Sequence, residues 1–346
     1  MIQLRAVRWT VLLLAIMAIS VAMSACGGSE SRDPMELVPA RANLLGSLNL
    51  TEVLADADVA EAYGLLATSE EDAPATLADL LALSEEELGL DLSGFGQLVV
   101  FADVDSVEGI GGALDGDRSG SSDFFGILAP TDLNRDELFD AVRAGASVQA
   151  VDGEHDGVPL LQLGDGDGAV ALVDGVVVLG SPEAVQAVID VSQLDALAIS
   201  GAVLSLYNDL GEAWGKLAIE LPGDVAESFG DAGELGLPVD VSALLEFNAL
   251  GVAATKDATD AIIQIVLRYP TSEAATETQE EISALLALVS NLQGDDQLGK
   301  TLGALAITSA GNDVTIEFRQ SVQETLDDLR QSLEDSEGAN PFGIGL

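Results

Sequence analysis

The chain has 346 residues, with 59 acidic side chains against 13 basic ones, one cysteine and one histidine. A zinc site closed by Cys and His and a disulfide framework are both excluded, because each needs several such residues. Nucleic acid is excluded as a partner, since phosphate binding needs clustered lysine and arginine. The formal net charge of −46 is spread over all segments, which is typical of the solvated faces of a folded protein.

The first segment has the features of an export signal. Arg5 and Arg8 form a short basic stretch, and an uncharged apolar run follows over residues 11–23. That length suits the apolar region of a secretory signal and is short for a membrane-spanning helix. We therefore expect residues 1–25 to be a signal peptide that is removed from the mature chain.

The apolar run ends in Met23-Ser24-Ala25-Cys26, which contains the only cysteine of the chain. Small residues directly before a cysteine, after such a run, resemble the lipobox of bacterial lipoproteins. The resemblance implies that the Cys26 thiol is diacylated, that the leader is cut before it, and that the new N-terminus is acylated. Several acyl chains hold a protein stably on a membrane. An ordinary secretory signal and an uncleaved N-terminal anchor helix are the alternative interpretations.

The residue after the cysteine directs sorting in the lipoprotein family. Here it is Gly27 rather than Asp, which implies the outer membrane in a cell with two membranes. In a cell with one membrane, the chain would face outward from the cytoplasmic membrane. We therefore predict a cell-envelope protein that is attached through acyl chains on Cys26, with residues 26–37 as a tether.

Beyond the tether, four sequence elements recur in the same order. The matched pairs are residues 43–49 with 202–208, 96–104 with 250–256, 124–130 with 263–270, and 169–180 with 304–318. Self-similarity of this kind indicates a duplication. We predict a first α+β repeat unit over residues 38–195, a second over residues 196–335, and a flexible tail over residues 336–346.

Local signals indicate the secondary structure of these units. Asp174-Gly175 favours a type I′ hairpin turn within residues 169–180. Ser181-Pro182 supplies a helix cap followed by proline at the first helical position. Apolar runs separated by periodic helical segments predict an α+β fold in which each unit is an antiparallel sheet with helices on one face.

This layout resembles a group of uncharacterised bacterial envelope proteins that share a duplicated α+β domain of unknown function. The shared cues are Val38-Pro39-Ala40 before a strand and the apolar residues 176–181 before a helix. Because that group has no assigned activity, the resemblance implies an architecture and no mechanism.

The single histidine is the residue on which most nucleophilic mechanisms would depend. His155 lies in an acidic stretch flanked by Gly153 and Gly157, and no serine stands in a Gly-x-Ser-x-Gly sequence. We therefore expect a solvated turn histidine, no catalytic residue and no cofactor.

Acidic turns raise the question of calcium binding. The best stretches are residues 103–105, 115–117 and 165–168. An EF-hand loop that begins at Asp103 or Asp165 would place Leu114 or Val176 where a carboxylate is required, so the motif fails. We predict no metal site, and weak binding of calcium or other cations stays open.

The favoured hypothesis is a lipid-anchored protein with a non-enzymatic binding or scaffolding role. A solute- or lipid-binding carrier that works with a membrane transporter is the alternative, and it would need an apolar cleft. A carboxylate hydrolase is third, and it would need two carboxylates that face one another. The acidity is interpreted first as adaptation to a saline environment and second as cation binding, and no protein partner is specified.

Overall fold

The computed structural model of the chain describes residues 32–67, 74–88, 96–104, 124–145, 149–164, 166, 168–221, 246–292 and 305–335. The strands are β1 (Leu44–Asn49), β2 (Gln97–Ala102), β3 (Phe125–Pro130), β4 (Ala150–His155), β5 (Val158–Leu163), β6 (Gly168–Val173), β7 (Val176–Gly180), β8 (Gly215–Glu220), β9 (Ala249–Asp257), β10 (Asp260–Arg268), β11 (Leu305–Ala310) and β12 (Asp313–Ser321). The helices are α1 (Leu50–Ala55), α2 (Ala57–Ala67), α3 (Leu77–Leu88), α4 (Arg135–Gly145), α5 (Pro182–Ser192), α6 (Ala202–Asp209), α7 (Ser272–Leu292) and α8 (Val322–Asp335).

The described strands form one 12-stranded sheet in the order β11-β12-β10-β9-β8-β1-β2-β3-β7-β6-β5-β4. Every neighbouring pair in it is antiparallel. The predicted α+β class with antiparallel pairing is therefore confirmed.

The strand order repeats across the sheet. Strands β1-β2-β3-β7-β6 run outward from the centre on one side, and β8-β9-β10-β12-β11 run outward on the other. The first half adds the hairpin β4–β5 at its outer edge. The two halves join edge to edge through β1 and β8, so they share one sheet instead of forming two.

Helices cover both faces of this sheet, whereas the sequence analysis expected them on one. Helices α5 and α6 pack on the first face with Leu45, Val99 and Leu128 in the largest core cluster. Helix α4 packs on the second face with Leu98 and Ala129. The reason is that the central strands are apolar at successive positions, so both of their faces need cover.

One predicted strand is a helix. Residues 202–208 were matched to β1, but they form α6, whose apolar side chains Val203, Leu206 and Tyr207 are buried. These positions recur with the helical spacing, and Gly201 just before the helix has a φ of 85°, which favours glycine. The actual counterpart of β1 in the strand order is β8, which the sequence analysis missed.

The predicted hairpin and cap are present where the sequence placed them. Asp174 and Gly175 connect β6 and β7 with φ values of 49° and 78°, as a type I′ turn requires. The Ser181 Oγ accepts a hydrogen bond from the Ala184 N–H at 3.3 Å, and Pro182 opens α5. Neighbouring residues in the sequence therefore determine both the β6–β7 turn and the start of α5.

Candidate functional site

The start of the described chain lies against the body. Cys26 and residues 1–25 lie outside the described residues, as does the predicted tail at 336–346. The Arg32 N–H donates to the Asp174 carbonyl at 3.1 Å, and Leu37 is fully buried after a short 3-10 helix over Pro34–Leu37. The described part of the predicted 26–37 tether is therefore part of the folded body.

The loop between α5 and α6 lies beside this segment. The Ala40 N–H donates to the Leu197 carbonyl at 2.9 Å, and the Ile199 N–H donates to the Val38 carbonyl at 2.7 Å. The side chains of Leu194 and Leu197 point outward, with 82% and 80% of their surface exposed. Sequence analysis missed this feature, because two isolated leucines in a loop give no periodic signal.

His155 is the last residue of β4 and not a turn residue. Its Nε2 lies 2.7 Å from Oδ1 of Asp190 on α5 and 3.8 Å from Oδ2 of Asp156. The imidazole keeps 25% of its surface exposed, so it is half-buried rather than solvated. The strand was missed because β4 is an edge strand of the sheet, where polar side chains need no buried face.

Among the described residues, His155, Asp156 and Asp190 are the one group of three side chains that could hold a metal ion, with candidate ligand atoms within 4.8 Å of one another. One nitrogen and two carboxylate oxygens suit a transition metal better than calcium, which prefers oxygen ligands alone. The hydrogen bond to Asp190 gives the imidazole a structural partner, so the group fastens β4 to α5. Of the aspartates in the predicted acidic stretches, Asp103 lies within the described residues and pairs with Arg41 at 2.7 Å. The others, Asp105, Asp115, Asp117, Asp165 and Asp167, lie outside them.

A second polar group lies where the two halves of the sheet meet. Ser47 of β1 is hydrogen-bonded to the hydroxyl of Tyr207 on α6, and Lys216 of β8 lies 4.0 Å from the centroid of that ring. Burial raises the pKa of Tyr207 and lowers the pKa of Lys216. The Lys216 ammonium donates to the Gly211 carbonyl at 3.0 Å, so these groups hold α6 against the central strands.

Two of the cavities on the described surface lie beside α5 and α7. The larger, of about 660 Å³, is lined by the first turns of α7 and by the β11–β12 turn, with Glu273, Glu277 and Glu280 among its residues. The smaller, of about 330 Å³, lies between α5 and the loop after it, with Arg41 and Leu197 in its wall. The first is acidic and the second mixes apolar and charged groups, so neither is the apolar cleft that a carrier would need.

The basic residues are almost all paired. The described chain contains nine of them, and eight form ion pairs with carboxylates. The ninth is Lys216, which is engaged as described above. The described surface therefore presents no cluster of unpaired positive charge, which is what phosphate binding needs.

One of these pairs joins the two halves. Lys256 of β9 is hydrogen-bonded to Asp56 at 2.7 Å and also to Asp58, at the start of α2. The Lys256 and Asp56 side chains are only 13% and 16% exposed. Arg330 of α8 pairs with Glu61 of α2 in the same region, so helices of the first half dock on the second.

No family model and no curated protein matches the sequence. Among solved structures, crystal form III of TP0453 is similar with a TM-score of 0.45, at 11% identity, over 87% of this chain and 99% of that chain. Crystal form I of TP0453 has a TM-score of 0.42, at 12% identity, over 88% of this chain and 99% of that chain. Likenesses at these scores carry no argument about function.

Proposed function

We propose that this chain is a lipid-anchored cell-envelope protein with a non-enzymatic binding or scaffolding role. The observation that carries the proposal is the position of Cys26, the only cysteine, directly after small residues at the end of an apolar run. Acyl chains on Cys26 would hold the protein on the outer membrane of a two-membrane cell, or outside the cytoplasmic membrane of a one-membrane cell.

The short distance between Cys26 and the folded body supports an anchored arrangement. Arg32, which is hydrogen-bonded to the β6–β7 turn, follows Cys26 by six residues. Six extended residues span at most about 20 Å, so a membrane that holds Cys26 would lie close to the body. None of the described helices is both long and apolar enough to cross a membrane.

The scarcity of nucleophile and base candidates in the sequence supports a non-enzymatic role, since His155 is the single histidine, Cys26 is the single cysteine, and no serine stands in a Gly-x-Ser-x-Gly sequence. The imidazole of His155 is hydrogen-bonded to Asp190, and the ammonium of Lys216 is hydrogen-bonded to a backbone carbonyl. We propose no cofactor, and we propose that weak binding of calcium or other cations accompanies the acidic surface.

The anchor is tested on the full chain, expressed in a bacterial host that acylates lipoproteins. We compare the natural chain with Cys26→Ala and with a control, Ser29→Ala, which lies outside the lipobox. The natural chain and the control are expected in the membrane fraction, with an intact mass that contains the acyl chains. The Cys26→Ala chain is expected to lose the acyl mass and to leave the membrane fraction on washing. A Cys26→Ala chain that stays with the membrane contradicts the proposal.

A further inference from the structure

Two leucines are far more exposed than any other large apolar side chain whose surface the structure describes. Leu194 and Leu197 are 82% and 80% exposed, and the next most exposed, Val151, reaches 47%. Exposed single leucines are ordinary, but two that lie three residues apart on one loop form a local apolar patch.

The loop that carries them is held firmly. The N–H groups of Asp195 and Ala196 both donate to the Asp190 carbonyl, at 2.9 and 3.2 Å. Leu194 has a φ of 66°, in the left-handed region that favours glycine. Leu194 is the left-handed residue that ends α5, and its N–H donates to the Val191 carbonyl at 3.1 Å. These bonds of the helix end offset the cost of the positive φ and hold the Leu194 side chain in solvent.

The loop is paired with the segment that leads back to Cys26. Leu197 and Ile199 are hydrogen-bonded to Ala40 and Val38, and Val38 follows Cys26 by twelve residues. The loop with the leucine pair is therefore hydrogen-bonded to a segment that follows Cys26 in the chain by twelve residues. A membrane that holds Cys26 lies within reach of the loop.

We propose that Leu194 and Leu197 insert into the interface of the membrane that holds the acylated chain, so that the body has a fixed orientation on the lipid surface. This inference rests on the proposed lipid anchor. The charges around the loop favour a neutral surface, because Asp190 and Asp195 lie beside the leucines and Arg41 is already paired with Asp103 and Glu183. Apolar insertion, without attraction to anionic lipids, is the expected mode of contact.

The test uses the acylated full chain in phosphatidylcholine vesicles. Because acylation blocks Cys26, a second cysteine takes a spin label at one site, and we place it by Leu194→Cys, by Leu197→Cys, or by Thr308→Cys as the control. Thr308 is exposed on β11, at the far edge of the sheet. Labels at 194 and 197 are expected to be several-fold more accessible to oxygen than to a water-soluble nickel chelate, and the label at 308 is expected to show the reverse.

The outcomes separate the two proposals. Intact mass of the same samples shows whether Cys26 is acylated, and a chain without acyl mass overturns the anchor and this inference together. An acylated chain with both loop labels in water overturns the leucine insertion and leaves the anchor standing. A third outcome is that both loop labels are shielded from oxygen and from the nickel chelate, and that the chain forms dimers in detergent that Leu197→Ser dissociates. This outcome would assign the patch to a second copy of the chain and would also overturn the insertion.

Discussion

The outer strands of the two halves occupy matching places in the sheet but are buried differently. In the first half, β6 and β7 are apolar at nearly every position, and Val176, Val177 and Val178 are all buried. In the second half, β12 alternates, with Val314 and Ile316 on one face and Thr315 and Glu317 on the other. Of these four β12 side chains, Val314 alone is fully buried.

The difference follows from the helices. Strands β6 and β7 lie between α4 and α5, whereas among the described helices α7 packs with Val314 and Ile307 on one face of β11 and β12. A strand that is covered on both faces needs a continuous apolar run, and a strand covered on one face needs alternation. Strands at matching places in the sheet therefore differ in sequence pattern. A continuous apolar run indicates helices on both faces of a strand, and an alternating pattern indicates a helix on one face.

A charge placed on an outer strand of each half should separate the two halves most sharply. We expect Val178→Asp in β7 to lower the free energy of unfolding by about 4 kcal/mol or more, because the carboxylate is buried without a partner. Val178 has no exposed surface. The matched change Thr308→Asp, on exposed β11, should cost less than about 0.5 kcal/mol. Urea denaturation measures both, and similar losses would contradict the difference in burial.

The second prediction concerns the contact between the halves. Lys256→Met should lower the free energy of unfolding by about 1–2 kcal/mol, between the values of surface and buried ion pairs, because it leaves Asp56 largely buried without its cation. The control is Arg319→Met, which breaks an exposed pair with Asp257 inside the second half and should cost less than Lys256→Met does, because water and salt screen an exposed pair. Equal losses of unfolding free energy in urea denaturation would show that the Lys256 contact between the halves stabilises the fold no more than an exposed ion pair does.

The same contact sets a pH dependence. Burial raises the pKa of Asp56, but hydrogen bonds from Lys256 and from the N–H groups of Asp58 and Val59 outweigh burial, and the net pKa lies below the ordinary 3.8. The stability that this carboxylate contributes is present above its ordinary pKa and is lost as the pH falls through the lowered value. The difference between the natural chain and Lys256→Met should therefore be full at about pH 7 and shrink below about pH 4.

Two helix caps, one buried in the first half and one at the surface of the second, give the smallest expected difference. Ser181 caps α5 in a buried setting, and Thr271 caps α7 at the surface with a 3.2 Å hydrogen bond from the Ala274 N–H. Ser181→Ala should cost about 1–2 kcal/mol and Thr271→Ala about 0.5–1 kcal/mol. Thermal unfolding of both variants measures the two losses of stability. A larger loss for Thr271→Ala than for Ser181→Ala would contradict the prediction that the buried cap contributes more.

Features that depend on residues close in the sequence could be predicted, and features that depend on residues far apart in the sequence could not. The Asp174-Gly175 turn and the Ser181 cap depend on neighbouring residues, and both were predicted. Strand β8 was missed because its pairing with β1 joins residues about 170 positions apart, and Lys216 and Glu220 weaken its apolar pattern. The His155–Asp190 contact and the exposed Leu194 were also beyond prediction, since both depend on how α5 lies on the sheet.

The join between β1 and β8 has a consequence for self-association. Strand β1 begins at Leu44 and β8 at Gly215, so Gly215 is the counterpart of Leu44 and Ile219 is the counterpart of Leu48. In the sheet, Leu44 faces Ile219 and Leu48 faces Gly215, so each residue lies opposite the counterpart of the other. Such a register is self-complementary, which is the two-fold relation by which identical subunits pair. Two separate sheets would present four free edges, whereas the joined sheet of described strands has two edge strands, β11 and β4. Fusion of the halves therefore protects the central strand edges from pairing with other chains.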